Sequence, residues 1–412
     1  MVENVLTLVR PAMLVFAAAS LAAQATHNVG PGGYPQISDA IAAAQPGDLI
    51  LVQQGSYLPF DLTIGVCVLA PGGATVTTPP GGGGLPWVHP IQPPAGQHAQ
   101  IVGLTFVTNS AYPPAEPPVT VHATGNVVFA DCVFRNWSDY LSNAVICNGD
   151  VQFDRCQWLG VWDCLLVQGG RVVANSCSFS PSRVNWAGSD PKCIVATGGE
   201  LRLNFCTLHG SDADGQPSWI GSTAIQLNGT ASLTVADCSI TGGNSITTPS
   251  IGITNNTTTP VRHARSTILG GTGVLSHVPT QIGPGPGFSG PEQSTLLVGG
   301  GGSAAGPRLG TQYLCSVVGP ANSITLLVLS LERAPATTLP LIAEPVHFDP
   351  TNAFVLAAGV TNDYSGWPGN AACIWSTVTL TAPMLGRQFW LHSLLWDGAL
   401  FQVGPTCGGV VY

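Results

Sequence analysis

Charge is what this sequence has least of. Asp, Glu, Lys and Arg together make up 8% of the 412 residues, and Lys192 is the one lysine. The net charge is −9, and no basic stripe exists to hold a phosphate backbone, which argues against a nucleic-acid partner. No apolar run reaches the roughly 20 residues that cross a bilayer as a helix. The repeated segments described below lack i, i+3, i+4 apolar spacing, so a helical solenoid is excluded. What the chain has instead is 51 glycines and 34 prolines, the punctuation of many short strands and tight connections.

Residues 1–25 are expected to be a signal peptide. The apolar run AMLVFAAASLAA follows Arg10 and ends at Ala23-Gln24-Ala25, a small-residue cleavage pattern. The mature chain would start near Thr26, with no transmembrane segment left, and be secreted or held in the cell envelope.

The stretch GDVQFDRCQW, Gly149 to Trp158, returns four more times. The other copies are GNVVFADCVF from Gly125, GRVVANSCSF from Gly170, GELRLNFCTL from Gly199 and ASLTVADCSI from Ala231. With the first residue as position zero, position +7 holds Cys132, Cys156, Cys177, Cys206 and Cys238, spaced 24, 21, 29 and 32 residues apart. Positions −4, +2, +4 and +9 are apolar (Val145, Val151, Phe153 and Trp158 in the quoted copy), with polar or small residues between them. That is the period-two signature of strands with one buried face. Fainter copies hold Leu104 at +7 upstream, and His263 at +4 with Ser266 at +7 downstream. A strand-only repeat with variable insertions at one corner is a solenoid of stacked coils; a propeller blade would need roughly 40 residues or more. The expected fold is all-β, a parallel β-helix over residues 26–290.

In YPQISDAIAAAQPGDLILVQQGSY, Ile37, Ile41 and Ala44 share one helical face, and Ser38 is placed to cap the first turn. Such a helix would cover the open N-terminal end of the solenoid. Ile37, Ala40, Ile41, Gly47, Asp48, Ile50, Val52, Gly55 and Tyr57 resemble the opening of the pectin-lyase-like right-handed parallel β-helix superfamily, over roughly Asn28 to Gly273. The resemblance implies right-handed coils. For lyase members it also implies calcium held by carboxylates and a basic residue that removes a proton alpha to a carboxylate.

After QIGPGPGFSGPEQ the repeat stops. Residues 291–306, containing VGGGGSAAG, are expected to be a flexible linker. Residues 307–412 alternate in runs such as SITLLVLSL and FWLHSLLW, which predicts a small antiparallel β-sandwich. This region is similar to C-terminal modules of planctomycete secreted proteins, which implies cell-surface attachment.

The repeated cysteines decide where to look for function. Stacked coils place like residues about 4.8 Å apart, slightly too far and too parallel for disulfides. A linear file does not converge on a metal, and a slot between buried positions is no place for a nucleophile. Compact apolar filler is the plain reading, with pairwise disulfides as the alternative. Cys164 and Cys193 are expected to stack likewise, and Cys315, Cys373 and Cys407 to share one disulfide.

Function is then expected from outward residues. Position +1 carries Asn126, Asp150, Arg171, Glu200 and Ser232; position +5 carries Asp154, Asn175 and Asn204; Arg155 and Arg202 lie close by. These read as a register-fixing charge ladder or as a polar floor for a glycan. The insertions after +9 carry Trp137, Trp162, Trp186 and Trp219, which would file along one corner as sugar-stacking rings or fold back as cover. For a lyase, Arg155, Arg183 and Lys192 are the candidate bases, with Asp150, Asp154 and Asp190 as candidate calcium ligands. For a glycosidase, Asp212 and Asp214 beside His209 are the best carboxyl pair.

The sequence thus leads to an exported β-helix that binds polysaccharide without turnover. Two alternatives stand beside it: a polysaccharide lyase or glycosidase acting on an acidic glycan, and a structural surface protein with no sugar ligand. Calcium is the one cofactor candidate.

Overall fold

The computed structural model describes residues 25–77, 89–108, 119–122, 125–136, 143–182, 190–213, 221–245, 250–264 and 266–272 of the first unit. In the second it describes 295–300, 312–319, 324–330, 333–343, 346–348, 353–360, 372–379, 388–396 and 398–410. The chain forms two compact units, Thr26–Gly290 and Pro291–Val411.

In the first unit the chain coils through three strands per turn, called here a, b and c. In the coil of the quoted repeat they are Asp150–Asp154, Gln157–Val161 and Leu165–Gly169. Each strand pairs in parallel with its equivalents in the neighbouring coils. Val151 lies between Val127 and Val172, Trp158 between Phe134 and Phe179, and Leu165 between Val145 and Ile194. The a and b strands belong to a 17-stranded sheet and the c strands to a 7-stranded one. Like residues therefore stack over like, an arrangement compatible with a parallel β-helix. The insertions fall between strands b and c, so they emerge at one corner.

The inward rows make the core. Val151, Phe153, Trp158 and their equivalents are buried. Phe106, Phe134, Trp158 and Phe179 stack along the axis with ring centroids 5.4, 4.9 and 4.3 Å apart. Phe129 and Phe153 stack beside them at 5.2 Å, and Phe153 meets Phe134 edge-on at 80°. Offset stacks crossed by edge-to-face contacts are what ring quadrupoles favour.

The turn from a to b explains the cysteines. Position +6 is left-handed in five successive coils: Asp131, Arg155, Ser176, Phe205 and Asp237 have φ of 52–54°. This conformation costs a non-glycine residue roughly 1–2 kcal/mol. It keeps the ladder intact, because in the first four of these coils the +6 N–H still donates to the +5 carbonyl of the next coil, as Arg155 does to Asn175 at 2.9 Å. The +7 thiol sits just inside the turn, and in Cys132, Cys156, Cys177 and Cys206 its single S–H is shared between two carbonyls. Cys177 Sγ reaches Asn175 O at 3.3 Å in its own coil and Phe153 O at 3.4 Å in the coil before; Cys206 does the same with Asn204 and Ala174. In the last coil Ser266 takes the slot, and its Oγ accepts the Cys238 N–H at 3.1 Å. All nine described cysteines are free and buried, and Cys164 and Cys193 lie in adjacent coils. The side chains of Cys315, Cys373 and Cys407 lie outside the described residues.

Two expectations need correction. A short helix, Ile37–Ala43, buries Ile37, Ala40 and Ile41, but Ser38 does not cap it. The helix starts earlier, with Gln36 at the cap position, and the Gln36 side chain accepts the Leu58 N–H at 2.9 Å. The expected linker is partly strand: Thr295–Gly300 pairs antiparallel with Gln312–Gly319, which pairs with Ala372–Thr379. Aliphatic residues Leu296–Val298 outweigh the neighbouring glycines once a partner strand satisfies the backbone. A four-stranded antiparallel sheet of Ala353–Val360, Ile324–Ser330, Gln388–Trp396 and Phe401–Val410 forms the rest of the second unit's main structure.

Candidate functional site

The outward rows of the coils differ sharply in what they offer. On strand a the outward +3 row is buried from Gln100 to Arg202, while Thr234 in the next coil is half-buried. Gln100, Val128, Gln152 and Val173 are at most 3% exposed, Arg202 is 8% exposed and Asp154 is completely buried. This corrects the polar floor at +5 and with it Asp154 and Arg202 as surface residues. Alternation aims them away from the core, yet aiming outward is not the same as meeting water.

Asp154 instead ends a ladder of amides. Asn204 Nδ2 donates to Asn175 Oδ1 at 2.9 Å, Asn175 Nδ2 to Asp154 Oδ1 at 2.7 Å, and Gln152 Nε2 to both Asp154 oxygens. Burial pushes the Asp154 carboxyl up to about 6, against the pull of Arg155 and of these donors. The +1 row is half-buried and mutually engaged. Arg202 Nε donates to Glu200, Arg171 Nε lies 3.5 Å from Glu200 Oε2, and Asp150 Oδ1 accepts the Arg171 N–H at 3.2 Å. Arg155 is held by Asp131 through two bonds of 2.8 and 3.0 Å, with a side chain only 7% exposed. It is a clamp between coils and poorly placed as a base, contrary to expectation.

The corner between b and c is where polar groups reach solvent. Of the expected tryptophans, Trp162 is described and 9% exposed, so it packs as cover and does not offer a sugar platform. Trp137, Trp186, Trp219, Arg183 and Asp214 lie outside the described residues.

Next to Trp162, Asp163 accepts the Lys192 N–H at 2.8 Å, and burial pushes its carboxyl up to about 6. Lys192 Nζ pairs with the exposed Asp190 at 2.6 Å. Asp163 escaped the sequence reading because a lone Asp before a buried Cys carries no recognisable spacing.

Further along the corner a polar rail links three coils. His209 Nε2 lies 3.0 Å from Asp212 Oδ1, which accepts the Asn244 N–H at 2.7 Å. Asn244 Oδ1 in turn accepts the Thr272 N–H and hydroxyl at 2.8 and 2.7 Å. His209 and Asp212 are 44% and 43% exposed. The rail leaves Asp212 Oδ2 and the Asn244 side-chain N–H groups without partners among the described residues.

Strand b presents a third outward surface. Its position +8 row pairs Ser56 with Thr75, then Thr105, Val133 and Gln157, and continues through Ser178, Thr207, Ser239 and Thr267. The row is legible in the repeat, where +8 holds Ser178, Thr207 and Ser239 in three of the five copies, but Ser and Thr without a charged neighbour carry no distinctive signal. No group of three or more His, Cys, Asp or Glu side chains poised for a metal ion occurs among the described residues. No protein-family model matches the chain, and no curated protein matches it.

Proposed function

We propose that this chain is an exported protein that binds polysaccharide in the cell envelope or outside the cell, without turning it over. The coils are read as right-handed, as in the pectin-lyase-like superfamily they resemble. The helix at Ile37–Ala43 would cover the open end, and the C-terminal strands would form a sandwich that tethers the protein to the cell surface.

The observation that carries the reading is the Asp212–Asn244–Thr272 rail. Its inner hydrogen bonds tie it together, while Asp212 Oδ2 and the Asn244 amide have no partner among the described residues and so offer an acceptor and a donor. Pre-set donors and acceptors on a rigid edge suit ligand hydroxyls, because little entropy is lost on binding. Binding is favoured over turnover because a glycosidase needs two carboxyl groups: Asp163 is buried and holds the Lys192 N–H, and Asp190 is paired with Lys192 Nζ, which leaves Asp212 as the described corner carboxylate with an open oxygen.

Affinity electrophoresis through gels containing neutral and acidic glycans tests this. Retardation should weaken about tenfold, some 1.4 kcal/mol, in the double variant Asp212→Ala, Asn244→Ala. Unsaturated products or new reducing ends would show an enzyme and sink the binding-only reading.

A further inference from the structure

The outward face of strand b has a chemistry that the corner does not explain. From Ser56 to Thr267 its +8 row holds nine residues, of which seven are Ser or Thr; Val133 and Gln157 are the exceptions. None of the seven hydroxyls makes a side-chain hydrogen bond, in contrast to the paired +1 row and the corner rail. Ser56, Thr207, Ser239 and Thr267 are exposed, and the row carries no charge. Eight steps of about 4.8 Å make it roughly 38 Å long.

An independent observation falls on the same face. The described residues of the first unit include three exposed large hydrophobics: Leu58, Leu159 and Leu269. All three belong to the neighbouring outward row of strand b, position +10. Leu159 pairs with Arg135 and Ser180, Leu269 pairs with Thr241, and Leu58 directly follows the paired Tyr57. They recur every four coils, roughly 19 Å apart. One straight face therefore combines a file of unengaged hydroxyls with a parallel row bearing exposed aliphatic side chains.

We infer that the b-strand face is a binding platform for a neutral polysaccharide lying along the helix axis. This inference rests on the polysaccharide reading above and gives it a ligand class and a second surface. A sugar ring has hydroxyls at its rim and C–H groups on its faces, so it matches both rows together. An acidic glycan finds almost nothing to pair with, because Arg135 is the one permanently charged residue named on these rows. Free hydroxyls serve as donor and acceptor alike, so they fit a ligand hydroxyl in either role.

The test compares three variants with the parent chain in affinity electrophoresis. The probes are hydroxyethyl cellulose, galactomannan and xyloglucan as neutral glycans, and polygalacturonate and alginate as acidic ones. Thr207→Glu with Ser239→Glu places charge in the file at exposed positions, Leu159→Ser removes one apolar contact, and Asp212→Ala with Asn244→Ala breaks the corner rail and its hold on His209, which stands on the +10 row beside Thr241. Thermal unfolding checks that each variant is folded. The expected result is retardation by a neutral probe that falls at least about tenfold in the double Glu variant and several-fold in Leu159→Ser, although both leave the corner rail unchanged. Parent-like binding by the double Glu variant would overturn the platform and leave the polysaccharide reading standing. A parent retained by none of the probes would overturn both. A parent that sediments as a dimer and is split by the double Glu variant would assign the face to a second copy of the chain, which also overturns the inference.

Discussion

The Asn175 side-chain amide donates to Asp154 Oδ1 at 2.7 Å, tying two coils together across 21 residues of sequence. The chain of amides from Asn204 runs in one direction and ends on a carboxylate, so the ladder has a polarity and a titratable end.

That end makes stability depend on pH. Asp154 and Asp163 both have folded pKa values raised to about 6 by burial, above the ordinary range near 4. Between about pH 4 and 6 the native state holds more protons than the unfolded chain, so stability falls as pH rises through that window and levels off above it. For Asp154 a shift of about two units corresponds to about 3 kcal/mol. Asp154→Asn should remove this loss. Gln152 Oε1, buried and without a partner, is available for the new amide. Urea unfolding at pH 7 should give a higher midpoint than the parent, and the two proteins should converge near pH 4. A lower midpoint at pH 7 would mean that the ladder needs the charge.

The thiols should behave as buried donors. Burial pushes Cys132, Cys156, Cys177 and Cys238 well above the ordinary thiol range. Cys177→Ser keeps a donor for Phe153 O and Asn175 O, whereas Cys177→Ala leaves both without it, at a cost of about 1–3 kcal/mol. Denaturant midpoints should rank parent and Ser above Ala. The nine described thiols should resist a disulfide reagent in the native protein and react once it is unfolded; rapid native reaction would contradict the corner geometry.

Trp158 and Trp162 should both act on stability. Trp158→Ala removes the middle of the aromatic stack and should cost about 3–5 kcal/mol. Trp162→Ala should lower the unfolding midpoint and leave glycan retention unchanged, since the indole is 9% exposed. Loss of retention in a folded Trp162→Ala protein would restore it as a ligand platform.

Calcium should not matter to binding. The corner carboxylates already hold Lys192, Asn244 and His209. Glycan retardation should be the same in millimolar calcium and in chelator, and a chelator-sensitive signal would point to a metal-dependent enzyme.

Much of the stacking was legible in the sequence, and the reason is physical. A cysteine at +7 and apolar residues at +2, +4 and +9 recur because each coil must present the same profile to the next. The linker was misread because composition at Val298–Gly306 says nothing about a partner strand, and Gln312–Gly319 supplies one. Of the carboxyl pair expected for a glycosidase, Asp212 joins the corner rail and Asp214 lies outside the described residues.

By itself the sequence determined which side chains turn toward the core, because alternation along a strand is a local property of the backbone. Tertiary structure alone decided which of the others meet water. Asp154 and Thr207 both point away from the core, yet one is sealed in an amide ladder and the other stands in an open hydroxyl row. What lies against the far side of a sheet is set by residues distant in sequence, and no local period encodes it.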